Sequence, residues 1–341
     1  MKAGHHAKLQ HYVPQFLLKN FCHGKKGRLW VFDKQRGRKF SSNVKNIASE
    51  TKFNDLTLDG VQYTMEPWLS KLESRASRIV KDIITAVSIA CLNDRDRLFL
   101  SFFLAVQFLR TKQQGIDIKQ FLEAVMELVR ESGGNRDRAE GVELLNEESL
   151  SQFRALSVAR ANESAPYFYA KTWLLLQTTK NCPLYMSDNP ITLQNSLDHS
   201  PFGSLGLAVE GIEVYVPLSA SLCLALYCPT IERRLRQAIR LYNRLAELKP
   251  GLLAKSRNPN GLNELVQGMD SGDPVLMNPE QVLRLNWLQV AYSSRFVFSA
   301  DDDFSSAEKM IAYNPSYKEA PKIVFGSSQG PLGSDNPNRQ L

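Results

Sequence analysis

Residues 98–109 read LFLSFFLAVQFL, the longest nearly uncharged apolar run in the chain, and Arg97 and Arg110 close it at its two ends. A helix of this composition is apolar on nearly all sides, so it needs other helices around it. Asn93 or Asp94 can cap its amino end. The run is shorter than the about 20 residues that a helix needs to cross a membrane. We therefore expect a central helix within a helical bundle, and no transmembrane segment.

Helical periodicity continues on both sides of this run, and strand-like segments lie towards the two ends of the chain. Helices are predicted over 66–88, 117–132, 147–179 with a break or kink at Pro166, 230–247 and about 278–293. Strands are predicted at 28–33, in a hairpin at 55–64, and within 183–193, 211–219, 221–228 and 295–300. Residues 249–275, rich in Pro, Gly, Asn and Asp, are predicted to form a long surface excursion. The predicted fold class is α+β, a helical bundle packed on a small mixed β-sheet assembled from N-terminal, central and C-terminal segments.

Composition divides the chain into three parts. Residues 1–64 form a basic, β-rich N-terminal module, and residues 65–326 form an α-rich main body with short strands. We expect these two parts to make one continuous domain. Residues 327–341 are polar and rich in Gly and Pro, which predicts a disordered tail.

The overall composition is typical of a globular protein in a reducing compartment. Of 341 residues, 43% are hydrophobic and 23% charged, which excludes collagen-like and disordered classes. The opening residues, MKAGHHAKLQHYVPQF, lack the apolar stretch of a secretory signal. No Cys-x-x-Cys pair occurs among the five widely spaced cysteines, which favours reduced thiols. We expect a cytoplasmic protein without a membrane partner.

The net charge of +7 is concentrated at the amino end. Residues 1–45 carry eleven Lys or Arg and one acid, for +10, so residues 46–341 carry 31 basic and 34 acidic residues, for −3. Much of the excess lies in one short segment: Lys25, Lys26, Arg28, Lys34, Arg36, Arg38 and Lys39, interleaved with Trp30, Phe32 and Phe40. Basic and aromatic side chains together suit contacts with nucleic-acid phosphates and bases. The alternative is a solvated hairpin edge that lysines protect against pairing with other chains.

Five segments carry a family resemblance: HYVPQFLLKNF at 11–21, the helix led by Glu66, AVQFLRT at 105–111, MSDNPITL at 186–193 and LNWLQVAYSSRFVFS at 285–299. Together they resemble an uncharacterised bacterial family of proteins of unknown function, DUF4238, over about residues 10–300. The resemblance implies no biochemical activity. It implies that the following positions are shared with the family and have a functional or structural role: His11, Pro14, Gln15, Glu66, Gln107, Arg110, Asp188, Asn189, Pro190, Asn286 and Arg295.

Three of these positions suggest acid–base and charge-stabilising chemistry. His11 carries the side chain best suited to proton transfer near neutral pH, although a histidine there can also cap the local turn. Gln107 and Arg110 are three residues apart and share one helix face. A buried guanidinium is costly without a partner, so Arg110 requires either Glu66 or Asp188 as a structural pair, or an anionic substrate.

Two carboxylates suggest a metal site. Asp188 directly follows the strand-like PLYM, and with Glu66 it can hold Mg²⁺ or Mn²⁺. The competing interpretation is turn chemistry, because Asp and Asn bond nearby backbone and Pro190 directs the chain onward. Asn286 and Arg295 lie on or just after the last predicted helix, where a bridge from helix to strand is the alternative to a functional role.

Several enzyme classes lose support because their motifs do not occur: the phosphate loop of NTPases, Gly-x-Gly-x-x-Gly, Gly-x-Ser-x-Gly and His-Glu-x-x-His. Two functions stay open. The first is a metal-dependent, nuclease-like phosphodiester hydrolase in which His11 transfers protons, Glu66 and Asp188 bind the metal, and Arg110 stabilises charge. The second is a non-catalytic protein that binds nucleic acid or an acidic partner and whose motif residues form an internal polar network. The first requires one open cleft, and the second a closed core.

Overall fold

The structure, a computed structural model, describes residues 9–24, 26–58, 60–131, 146–179, 181–197, 205–248 and 261–321. The helices are α1 (Gln15–Lys19), α2 (Glu66–Ala86), α3 (Asp94–Leu109), α4 (Lys112–Glu131), α5 (Glu147–Ala159), α6 (Ala161–Tyr169), α7 (Pro229–Leu248), α8 (Gly261–Ser271), α9 (Pro279–Tyr292) and α10 (Ser305–Tyr313). The strands are β1 (Leu9–His11), β2 (Arg28–Asp33), β3 (Arg38–Asn43), β4 (Ser49–Thr51), β5 (Asp55–Leu58), β6 (Val61–Thr64), β7 (Thr172–Gln177), β8 (Met186–Ser187), β9 (Thr192–Asn195), β10 (Ile212–Pro217), β11 (Leu222–Tyr227), β12 (Val275–Leu276) and β13 (Phe296–Ser299).

The apolar run at 98–109 forms most of α3. Asn93 caps the helix, because its side chain accepts a hydrogen bond from the Asp96 backbone N–H at 3.0 Å. Leu100, Phe103 and Leu104 are buried in the main core. Helix α6 packs closely along α3. The expectation that other helices surround this run is wrong at its first residue, since Leu98, in the second turn of α3, is 57% exposed.

A four-stranded antiparallel sheet joins distant parts of the chain in the order β3-β2-β13-β8. Its strands come from the N-terminal, C-terminal and central segments, and a small apolar cluster around Phe32, Val297 and Phe304 packs with it. The predicted α+β fold, with strands gathered from these three regions, is confirmed.

A second, five-stranded sheet has the order β12-β7-β11-β10-β9, and only its β12–β7 pair is parallel. The predicted helix over 147–179 is wrong beyond residue 169, because residues 172–177 form β7. Strand β7 lies between two neighbours and its residues 173–176 are buried, so sheet pairing outweighs any helical preference of TWLLLQ. The helical region breaks at Arg160, between α5 and α6, and not at Pro166, which lies inside the nine-residue helix α6.

Two further antiparallel sheets have two strands each. Strands β5 and β6 form the predicted hairpin, with Leu58 opposite Val61. Strand β1 pairs with β4, which no sequence pattern indicated, and the register sets His11 opposite Ser49. This pair positions the first motif residue of the chain.

The predicted surface excursion at 249–275 is wrong for residues 261–271, which form α8, while residues 249–260 lie outside the described residues. Helix α9 begins with a reciprocal capping box, in which the Asn278 and Gln281 side chains each accept from the other's backbone N–H at 2.9 Å. Since β2 and β13 share a sheet, the N-terminal segment and the main body are joined by backbone pairing. The boundary at residue 64 stays a prediction, and the predicted tail at 327–341 lies outside the described residues.

Candidate functional site

His11 lies at the end of β1, partly buried. Its Nε2–H donates to the Val44 carbonyl oxygen at 3.1 Å. Because a carbonyl only accepts, the neutral ring keeps its lone pair on Nδ1, which lies 3.5 Å from Gln15 Nε2. Burial lowers the pKa of His11, so the neutral imidazole is favoured.

Glu66 begins α2 and is also partly buried. One carboxylate oxygen, Oε1, accepts a hydrogen bond from Asn54 Nδ2 at 2.6 Å. Asn54 is itself held by Gln10, whose side-chain oxygen accepts from the Asn54 backbone N–H at 2.6 Å. Burial raises the pKa of Glu66, and the nearby charge of Arg110 opposes that rise. Glu66 therefore takes up a proton more readily than a carboxyl group in water.

Arg110 caps the carboxyl end of α3 and is only 2% exposed. Its Nε–H donates to Gln107 Oε1 at 3.0 Å, and its Nη2–H donates to Glu73 Oε1 at 2.5 Å. Gln107 in turn donates to the Tyr12 carbonyl at 3.0 Å. The predicted pairing of Arg110 with Glu66 or Asp188 is therefore corrected: its ion-pair partner is Glu73. Among the described residues, Arg110 Nη1 has no hydrogen-bond partner.

These side chains form one electrostatic unit, which we name the His11 cluster: His11, Gln15, Glu66, Glu73, Gln107 and Arg110. The charges of Glu73 and Arg110 act on the pKa values of both His11 and Glu66. Within the cluster, Gln107 and Arg110 are buried, whereas the other four side chains are partly accessible. The cluster thus combines a base (His11), an acid (Glu66) and a buried cation (Arg110) at a partly accessible site.

Asp188 is fully buried and lies in a different network. Its two carboxylate oxygens accept from the backbone N–H groups of Ser294, Arg295 and Phe296 at 2.7, 2.8 and 2.9 Å. The Ser294 hydroxyl donates a fourth hydrogen bond at 2.7 Å. Asp188 therefore fastens the turn after β8 to the start of β13.

Two basic side chains flank Asp188. Arg295 binds Asp33 with two parallel hydrogen bonds, Nε to Oδ1 at 3.1 Å and Nη2 to Oδ2 at 2.7 Å. Lys34 is fully buried and donates to the carbonyls of Val290 and Ser293 at 3.0 and 2.6 Å, at the carboxyl end of α9. Burial lowers the pKa of Lys34 to about 8, and the Asp188 charge limits that fall. We name Asp188, Ser294, Arg295, Asp33 and Lys34 the Asp188 network.

The predicted metal pair of Glu66 and Asp188 has no geometric support. Glu66 is in the His11 cluster, and Asp188 uses both oxygens on protein donors, which leaves no oxygen free for a cation. In the part of the chain that the structure describes, no group of three or more His, Cys, Asp or Glu side chains is placed to hold a metal ion.

The two remaining motif asparagines bridge helix and strand. Asn189 Nδ2 donates to the Tyr292 carbonyl at 3.1 Å. Asn286 Oδ1 accepts from the Tyr185 backbone N–H at 2.7 Å, and its Nδ2 donates to the Pro183 carbonyl at 3.0 Å. Both side chains join α9 to the segment around β8.

The predicted nucleic-acid segment is exposed at Lys26, Arg28, Arg36, Arg38 and Lys39, whereas Lys25 lies outside the described residues. Lys34, counted in the same charge run, is buried and is not available to a partner. The pairing of β2 with β3 sets Arg28 opposite Asn43 at one end of the hairpin and Arg38 opposite Asp33 at the other. The exposed charges therefore lie in two groups, not in one continuous stripe.

Sequence reasoning missed Glu73, Asn54 and the buried role of Lys34. Glu73 had a signal: it follows Glu66 by seven residues, two helical turns, and so lies on the same face of α2. Asn54 and Lys34 had none, because their partners are between 12 and 259 positions away in the chain.

The fold and the site define an α+β protein with a partly open acid–base cluster beside a closed polar network. The chain belongs to the DUF4238 family: the sequence profile of that family, described as protein of unknown function, matches residues 9–303. No curated protein and no solved structure matches the chain. None of the described helices is both long and apolar enough to cross a lipid bilayer.

Proposed function

We propose that the protein hydrolyses phosphodiester bonds in nucleic acid by general acid–base catalysis at the His11 cluster. One observation carries the proposal. The His11 imidazole, with a lowered pKa, and the Glu66 carboxyl, with a raised pKa, both lie close enough to the buried Arg110 guanidinium to feel its charge. Shifted acid–base groups in a partly open site are typical of catalytic centres.

Each group has a role that follows from its contacts. The lone pair on His11 Nδ1 accepts a proton from the attacking water, while the Val44 carbonyl holds the ring in that tautomer. Glu66 in its protonated form donates to the leaving oxygen. Arg110 supplies positive charge behind the reacting phosphate. The exposed basic residues of the β2–β3 hairpin bind the nucleic-acid backbone.

The first test is cleavage of single- and double-stranded DNA and RNA by the full chain, with Mg²⁺, Mn²⁺ or a chelator. We expect His11→Gln and Glu66→Gln each to reduce cleavage by about 100-fold. Because both groups act directly on protons, the losses should be in kcat more than in KM.

Matched controls keep this test specific. His23→Gln removes a histidine that stacks on Trp30, and Glu163→Gln removes an exposed glutamate of α6. Both controls should retain cleavage. Full activity in folded His11→Gln would refute the proposed base, and strict dependence on Mg²⁺ or Mn²⁺ would require ligands other than Asp188.

The pH profile of kcat/KM provides a second prediction. His11 must be neutral, and its lowered pKa places the acidic limb below its ordinary value of 6.5. Glu66 must be protonated, and its raised pKa places the alkaline limb above 4.5. We expect a maximum at mildly acidic pH in assays from about pH 4 to about pH 9. An activity that rises steadily to the alkaline end would contradict Glu66 as the proton donor.

A non-catalytic binding function is the second candidate, and the closed contacts of Gln107, Arg110 and Asp188 favour it. Under this proposal the motif residues stabilise the core, and the exposed hairpin residues bind nucleic acid or an acidic partner. Retention of nucleic acid at low salt without cleavage would support it. Loss of that retention in Arg36→Gln/Arg38→Gln would assign the hairpin as the contact.

A further inference from the structure

An open groove lies between α2, α3 and α6, with a volume of about 610 Å³. Its floor and walls are formed by Leu98, Phe99, Phe102, Ala165, Pro166 and Tyr169, and Arg75, Arg95 and Asn162 complete the lining. This volume falls in the range of small-molecule sites, which are concave, largely apolar and equipped with a few polar groups.

Apolar side chains at the groove are unusually accessible. Leu98 is 57% exposed and Tyr169 38% exposed, and Trp68 beside them is 42% exposed with its ring edge-on to Phe102 at 6.3 Å between centroids. Contiguous exposed apolar surface of this kind marks a binding surface in a water-soluble fold.

The charged side chains at the rim of the groove favour a negatively charged ligand. Arg95 is exposed and has no ion pair among the described residues. The Arg75 guanidinium lies over the Phe99 ring at 4.1 Å and reaches one acidic neighbour, Asp96, at 3.9 Å. Two guanidinium groups against one carboxylate give the rim a net positive charge, which complements an anion.

We propose that this groove binds a small aromatic carboxylate, with its ring among Phe99, Phe102 and Tyr169 and its carboxylate at Arg95 and Arg75. Flat rings stack or pack edge-on with the aromatic lining, and a carboxylate accepts the forked donors of a guanidinium. The site is separate from the His11 cluster. Trp68 and Arg75, seven residues apart, lie about 200° around α2 from Glu66 and Glu73.

The test uses three probes with the same ring system: 2-naphthoate, 2-naphthalenemethanol and 2-naphthylmethylammonium. Each is titrated into the full chain by calorimetry. We expect 2-naphthoate to bind about fivefold more tightly than the alcohol, and the cation to bind no better than the alcohol.

Three variants, one of them a control, assign the groups. Leu98→Asp, at an exposed position, should abolish binding of all three probes, whereas Leu276→Asp on β12, which is 63% exposed, should leave binding unchanged. Arg95→Gln should lower the affinity for 2-naphthoate to that for the alcohol without changing the latter. Equal affinity for all probes would overturn the anion preference, and no binding, or binding that survives in Leu98→Asp, would overturn the site. Nucleic-acid cleavage plays no part in these readouts, so they stand apart from the proposed hydrolysis.

Discussion

Asp188→Ala is expected to lower the free energy of unfolding by about 4 kcal/mol. The carboxylate is fully buried and accepts hydrogen bonds from three backbone N–H groups and the Ser294 hydroxyl. Alanine would leave these buried donors unsatisfied and would remove the negative charge that faces Lys34. Equilibrium denaturation in urea measures the change.

Two further variants separate the contribution of the Ser294 hydroxyl from that of the Asp188 carboxylate. Ser294→Ala removes only the hydroxyl donor and should cost about 1 kcal/mol. Asp188→Asn keeps one acceptor but places an amide NH₂ against backbone donors, so we expect a loss between those of the other two variants. A loss below about 1 kcal/mol for Asp188→Ala would contradict the structural role and reopen a functional one.

The second large effect depends on pH and concerns Lys34. Its pKa is about 8 in the folded protein and 10.5 in its ordinary environment, because burial disfavours the charged amine. Between these values the unfolded chain binds the proton that the folded protein has released, so the stability that this group contributes rises with pH. The contribution is complete above 10.5 and is lost as pH falls through 8.

The test compares the wild type with Lys34→Met by urea denaturation from about pH 7 to about pH 11. The free energy of unfolding of wild type, relative to that of the variant, should increase by about 3 kcal/mol over this range. Lys39→Met, on the exposed end of the same hairpin, controls for the removal of a lysine. A difference between wild type and Lys34→Met that stays constant with pH would show that Lys34 keeps its proton in the core.

The two stability experiments also inform the functional question. Asp188 and Lys34 belong to one closed network, so their variants report on folding. The His11 cluster is partly open, and its variants report on chemistry if the proposed hydrolysis occurs. A protein with unchanged stability and lost cleavage in Glu66→Gln would place catalysis in the cluster and leave structure to the Asp188 network.

Local physics made much of the fold predictable from the chain alone. The apolar run of α3, its Asn93 cap, the β5–β6 hairpin and the amphipathic helix led by Glu66 all follow from short-range patterns. The motif segments were sufficient to indicate the family, which the match over residues 9–303 confirms.

Contacts between distant residues decided the rest. The sequence predicted a helix for the residues of β7, but their pairing with β11 and β12 places them inside a sheet. The sequence indicated that buried Arg110 requires an acidic partner. Only the packing of α2 against α3 shows that this ion-pair partner is Glu73 and not Glu66 or Asp188. Lys34 resembled its exposed basic neighbours, yet its ammonium lies against carbonyls more than 250 positions away.

The physical reason is the range of the interactions. Helical periodicity, caps and turns depend on residues within a few positions of each other, so the sequence by itself determined most of the helices, the β5–β6 hairpin and the family. Burial and ion pairing depend on which surfaces meet after the chain has folded, so only the tertiary structure separated the closed Asp188 network from the partly open His11 cluster.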